Sequence, residues 1–103
     1  MLNRIDLMGR MVAKPEMKKA GEHQVCSFTI AVQRSRNRDK TDFIPCKAWD
    51  SIADLICKHF NKGDRIVIVG SLQNNSFTGA DGTIRSFFEV ETETFEFVEK
   101  KAQ

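Results

Sequence analysis

The nine residues TDFIPCKAW, at 41–49, place a phenylalanine, a lysine and the single tryptophan at even spacing. On an extended backbone alternate side chains leave by opposite faces, so Ile44, Cys46 and Ala48 share one side while Phe43, Pro45, Lys47 and Trp49 share the other. The first side is a core face of small apolar groups. The second combines flat aromatic rings with a cation, a chemistry suited to stacking planar bases and meeting phosphates. Stacking of this kind contributes about 1–3 kcal/mol per base and tolerates any sequence, because every base has a π-face. The competing use of such a face is a subunit interface, where aromatics are also enriched. Pro45 has no N–H to donate, which suits an edge strand or a bulge.

Few other residues are spaced for chemistry. The histidines are His23 and His59, and Cys57 and His59, two apart on an expected helix, point in different directions, so no metal site is expected. Asp42 and Asp81 have no paired carboxylate, and no nucleophile–base pair or phosphate loop is present, so neither catalysis nor a cofactor is expected. Cys26, Cys46 and Cys57 are odd in number and lack CxxC spacing, which reads as reduced core thiols. No apolar run reaches membrane-spanning length, and the opening MLNRIDLMGR lacks the pattern of a signal peptide, so a cytoplasmic protein is expected. The net charge of +2 is uneven: residues 1–80 hold 13 Lys or Arg against 8 Asp or Glu, whereas residues 81–103 hold 3 against 6. A basic first part can meet a polyanion, although an excess this small is also the mark of an ordinary solvated surface.

The elements that must position these residues are mostly strands. IDLMGRMV (5–12) alternates Ile5, Leu7, Gly9 and Met11 with polar groups, and Gly9 predicts a bend or bulge at a barrel corner. QVCSFTIAVQR (24–34) puts Cys26, Phe28, Ile30 and Val32 on one face. RIVIVGSL (65–72) is apolar on both faces, as in a central strand. TIRSFFEV (83–90) follows TGADG, whose Asp81-Gly82 pair suits the positive φ angles of a tight hairpin. TFEFVE (94–99) continues the last strand, with Phe95 and Phe97 expected in the core. Met8, Met11 and Met17 read as core filler. In DSIADLICKHFNKG (50–63), Ile52, Leu55, Ile56 and Phe60 recur at helical spacing, with Asp50 or Ser51 to cap the start and Gly63 to end it.

The order βββαββ predicts an all-β fold: a five-stranded OB-fold barrel (Greek key) with one short α-helix between the third and fourth strands, over residues 1–99, and a short tail at 100–103. Phe77 stands on the hairpin of the fourth and fifth strands. The loop RSRNRDK (34–40) is the densest basic run and supplies Arg34, Arg36, Arg38 and Lys40 as candidate phosphate contacts. The acidic EVETETFEFVE (89–99) should repel nucleic acid, so a bound strand is expected to avoid it.

Five segments also resemble the bacterial single-stranded DNA-binding protein (SSB) family in the family's order: MLNRIDLMGRMVAKPEMK, SFTIAVQR, TDFIPCKAW, FNKGDRIVIVGSL and SFTGADG. The resemblance implies a homotetramer of OB-folds that wraps single-stranded DNA in replication, recombination and repair. It places Phe43, Trp49 and Phe77 at the family's stacking aromatics and Arg4, Lys47 and Lys62 at basic contacts. Three departures stand out. Arg36 occupies the tip where many members carry an aromatic; Asn75 precedes Phe77 where a basic residue is common; and the chain stops at VEKKAQ without the linker and acidic tip that recruit partners. Recruitment through such a tip is therefore not expected, and the chain reads as a trimmed domain or a naturally short member. The alternative function is a PriB-like OB-fold accessory of a replication-restart complex, acting through protein contacts made by the same aromatic face. RNA binding by that face is a weaker third reading, since no residue marks a site for a 2′-hydroxyl.

Overall fold

The computed structural model describes residues 1–98; the part of the expected domain at 99 and the expected tail at 100–103 lie outside the described residues. Among the described residues six strands and one helix follow one another as β1 (Ile5–Met11), β2 (Glu16–Ala20), β3 (His23–Gln33), β4 (Thr41–Trp49), α1 (Asp50–His59), β5 (Arg65–Thr78) and β6 (Ile84–Phe97). Five of the strands form a closed ring in the order β1, β5, β6, β4, β3 and back to β1. This is the expected OB-fold barrel. Its one parallel contact sets Cys46 and Lys47 of β4 beside Val90 and Glu91 of β6. Val90, Ile66, Ile68, Ile30, Cys26, Cys46 and Ala48 fill the barrel; Ala53, Ile56 and Phe60 close it from the helix side.

β2 is a strand the sequence reading did not contain. The apolar residues of its segment EMKKA, Met17 and Ala20, are three apart, so it shows no alternation. It forms because β3 is longer than the ring needs: β1 occupies the β3 edge at Ile30 and Ala31, and β2 pairs with the remaining stretch from His23 to Ser27. The single helix therefore sits between β4 and β5.

Closure depends on two close backbone approaches. A Cβ at Gly9, where β1 passes from β5 to β3, would lie 2.7 Å from the Ala31 carbonyl oxygen. At Gly70 the register slips between Val69 and Gly70, leaving Glu93 as an extra residue in β6. Such bulges bend a strand and increase its twist, which lets the long β5–β6 hairpin leave the barrel surface.

Five local expectations are revised. Asp50 does not cap α1: the N-cap is Trp49, with no side-chain bond, and Asp50 has φ of 51° with its carboxylate turned back to β3, accepting the Gln24 N–H at 3.1 Å and facing His23 Nδ1 at 3.0 Å. The helix ends at an extended Phe60, and Gly63, although left-handed, belongs to the following turn. Phe97 is 46% exposed, lying flat against Phe60 at 4.9 Å, while Phe95 packs edge-on against the core. Met8 and Leu55 are exposed, whereas Met11 is buried and Met17 half-buried as filler should be. In the hairpin turn only Gly82 has positive φ; Asp81 acts through its carboxylate, which accepts the Thr83 N–H and hydroxyl. Those bonds hold the Asp81 carboxyl below its usual range.

Candidate nucleic-acid interface

β4 presents its two faces as its alternation predicts. Cys46 and Ala48 are buried and Ile44 packs against the core, while Phe43, Pro45, Lys47 and Trp49 point outward. Pro45 pairs with Thr29 on one side and sits immediately before β4 gains β6 as a second neighbour, where the strand is still an edge and a missing N–H is tolerated. Directly opposed residues share a face, so the outward surface continues from β4 through Glu91 and Glu89 of β6 to Gln73, Asn75 and Phe77 of β5. Phe43 is 64% exposed and Phe77 50%. Trp49 is half-buried, with the His23 ring edge-on at 6.4 Å and the Lys47 ammonium 5.8 Å from its ring centroid. Phe87, which sequence reasoning passed over, tilts against Phe77 with ring centroids 5.9 Å apart. Its signal was the register across the hairpin, which the sequence does not display.

The expected cations fall into three groups. Lys47 lies at the centre of the face, its Nζ 2.8 Å from Glu89 Oε1. Arg36, Arg38 and Lys40 are exposed on the β3–β4 loop, held at its neck by the Arg34 N–H to the Lys40 carbonyl at 3.0 Å and by the Gln33 amide to the Arg38 carbonyl at 2.7 Å. Arg34 itself forms a two-pronged pair with Asp42, both bonds 3.0 Å, which keeps the Asp42 carboxyl below its usual range. Arg4 is likewise paired, Nε to Asp6 Oδ1 at 3.0 Å. Lys62 stands in the α1–β5 turn, next to Gly63, whose carbonyl accepts a bond from Arg10 at 3.0 Å.

That bond exposes a second omission. Phe43 opposes Ala31, Ala31 opposes Arg10, and Arg10 opposes Arg65, so a row across the outward surface runs from an exposed ring to two guanidinium groups. No local motif announces it, because the two arginines are 55 positions apart in the chain.

Part of the acidic strand shares its face with the aromatics. Glu89 and Glu91 occupy the middle of the outward surface. Asn75 donates to the Glu89 carboxylate and Gln73 to that of Glu91. Among the described residues no group of three or more His, Cys, Asp or Glu could hold a metal ion, and no helix is long and apolar enough to cross a membrane.

The closed five-stranded ring, with an aromatic, cation-flanked strip on its outward side, is an OB-fold. Residues 2–98 match the model of the Single-strand binding protein family, and the chain belongs to that family. It is 32% identical over 95% of its length to a single-stranded DNA-binding protein of Clostridium perfringens, covering 67% of that protein. It is 32% identical over 99% of its length to single-stranded DNA-binding protein 1 of Clostridium acetobutylicum, covering 98% of it. A single-stranded DNA-binding protein of Clostridium tetani is 34% identical over 95% of this chain and 71% of its own.

Proposed function

We propose that this protein binds single-stranded DNA without sequence preference, keeping it unpaired during replication, recombination and repair in the cytoplasm, and that it catalyses no reaction. The observation that carries the reading is the outward strip of Phe43, Trp49 and Phe77, rings exposed or half-exposed on rigid strands. Bases stack on these rings, and phosphates run along Arg36, Arg38 and Lys40 of the β3–β4 loop, with Lys62 in the α1–β5 turn as a further contact. Arg4 and Arg34 join only when their carboxylate partners release them. Membership of the Single-strand binding protein family supports this reading over a PriB-like accessory role.

The active unit is a homo-oligomer, most simply a tetramer. Met8 on β1 opposes Val67 on β5, and Val69 lies two residues further along the same outward face. This apolar run lies on the β1–β5 side of the ring, where a second copy can cover it.

The test is a titration of Trp49 fluorescence with oligo-dT and, separately, with a duplex of equal length, at low and high salt. Quenching by oligo-dT, weakened by salt and absent with duplex, is the expected result. An equal response to both nucleic acids, or none, contradicts the reading.

A further inference from the structure

Glu89 is in an unusual place for a carboxylate on a polyanion-binding face. It and Lys47 form a 2.8 Å ion pair whose side chains are only 12% and 18% exposed. Glu91 lies opposite Lys47 across the parallel β4–β6 contact, and each glutamate is anchored by an amide from β5, Asn75 for Glu89 and Gln73 for Glu91. Along β6, Phe87 is two residues from Glu89, about 7 Å at the rise of a strand. On the other side stand Trp49 and Phe43. The centre of the stacking surface therefore carries two fixed carboxylates against one ammonium, while Arg36, Arg38 and Lys40, with no ion pair among the described residues, lie at its rim on the β3–β4 loop.

We propose that Glu89, with Glu91 beside it, determines selectivity: the pair keeps phosphates away from the middle of the surface, so that only a strand able to turn its bases inward can bind. The proposal rests on the single-strand reading above. An unpaired strand can rotate its phosphates toward Arg36, Arg38 and Lys40 and lay its bases over Phe43, Trp49 and Phe77. A duplex cannot, because its bases are already stacked on one another and it offers phosphate ridges and groove edges alone. Lys47 would attract those ridges if it were free. Glu89 holds it against Trp49 and cancels its charge. The glutamates are thus not a solvated acidic strand that nucleic acid avoids; they reject the wrong nucleic acid at the site itself.

The experiment measures affinity for oligo-dT and for a duplex of equal length across a salt series, using the wild-type chain, Glu89→Gln, Glu91→Gln and Glu89→Gln/Lys47→Met. Freeing Lys47 in Glu89→Gln adds one phosphate contact, so the oligo-dT salt slope steepens by about 0.7 and duplex affinity rises by more than oligo-dT affinity, lowering the preference for single strand roughly fivefold or more. Glu91→Gln, which leaves the Lys47 pair intact and so guards against a Glu89 variant that fails to fold, lowers the preference in the same direction. In the double variant the gain in slope disappears. Folded variants with the wild-type preference and slope would overturn the proposal. If the wild-type chain itself ignores oligo-dT, the single-strand reading falls instead.

Discussion

Gly70 and Glu91 meet backbone to backbone: a Cβ on residue 70 would stand 2.0 Å from the Glu91 carbonyl oxygen, and that oxygen belongs to a strand and cannot swing aside. Gly70→Ala must therefore move β5 off β6 at the bulge. The expected loss exceeds about 3 kcal/mol, at the severe end for a single methyl, because overpacking and a broken ladder act together. Chemical denaturation with matched m-values is the check; a loss below about 1 kcal/mol would mean that the bulge is soft.

Phe60 carries the helix onto the barrel. It is fully buried, edge-on to Phe95 at 5.6 Å and parallel to Phe97 at 4.9 Å. Phe60→Ala is expected to cost about 3–5 kcal/mol, and Phe60→Leu distinctly less, since it leaves most of the volume filled. The same unfolding measurement ranks the two.

Alkaline pH should unfold the protein from within. Burial pushes the Cys26 and Cys46 thiols up to about 12, from an ordinary value near 9. Folding therefore favours the protonated form, and its contribution to stability is complete below pH 9 and is lost as pH rises from there toward 12. Thermal melts are expected to be flat between pH 7 and 8.5 and to fall above pH 9. Cys46→Ala should show a shallower fall. Thiol reagents near pH 8 should modify Cys57, which is only partly buried although its sulfur is 3.3 Å from that of Cys26, before either core thiol.

Loop cations should read out in salt rather than in sequence preference. Arg36→Ala and Arg38→Ala are each expected to lower the oligo-dT salt slope by about 0.7, the signature of one lost single-strand phosphate. Arg34→Ala should change it less, because that guanidinium is held by Asp42. Truncating Phe43 or Phe77 should instead weaken binding at every salt concentration by about 1–3 kcal/mol per ring lost. Fluorescence anisotropy over a salt series separates the two behaviours.

What the sequence displayed was whatever obeys a short period. The alternation of Cys26, Phe28 and Ile30, and of Phe43, Lys47 and Trp49, identified a core face and an outward face without any tertiary information. What it hid depended on pairing at a distance. EMKKA becomes a strand only because His23–Ser27 offers a free edge. Asp50 looked like a helix cap and instead serves Gln24, an acceptor role fixed by where β3 happens to begin. Phe97 keeps the core-facing parity of Phe95 but, as the last residue of β6, is stacked on Phe60 and 46% exposed. Glu89 belongs locally to an acidic run, and only the parallel contact between β4 and β6 sets it against Lys47.

That same parallel contact has a consequence for biosynthesis. β1, made first, needs β5 as its neighbour, and β4 needs β6, so neither half of the ring can close on residues already emerged from the ribosome. The β2–β3–β4 meander can form early, with its apolar face and the inner side of β1 left uncovered until β6 is synthesised. Nascent chains paused before residue 84 should therefore be protease-sensitive and prone to capture by chaperones, and release of β6 should trigger folding in a single late step.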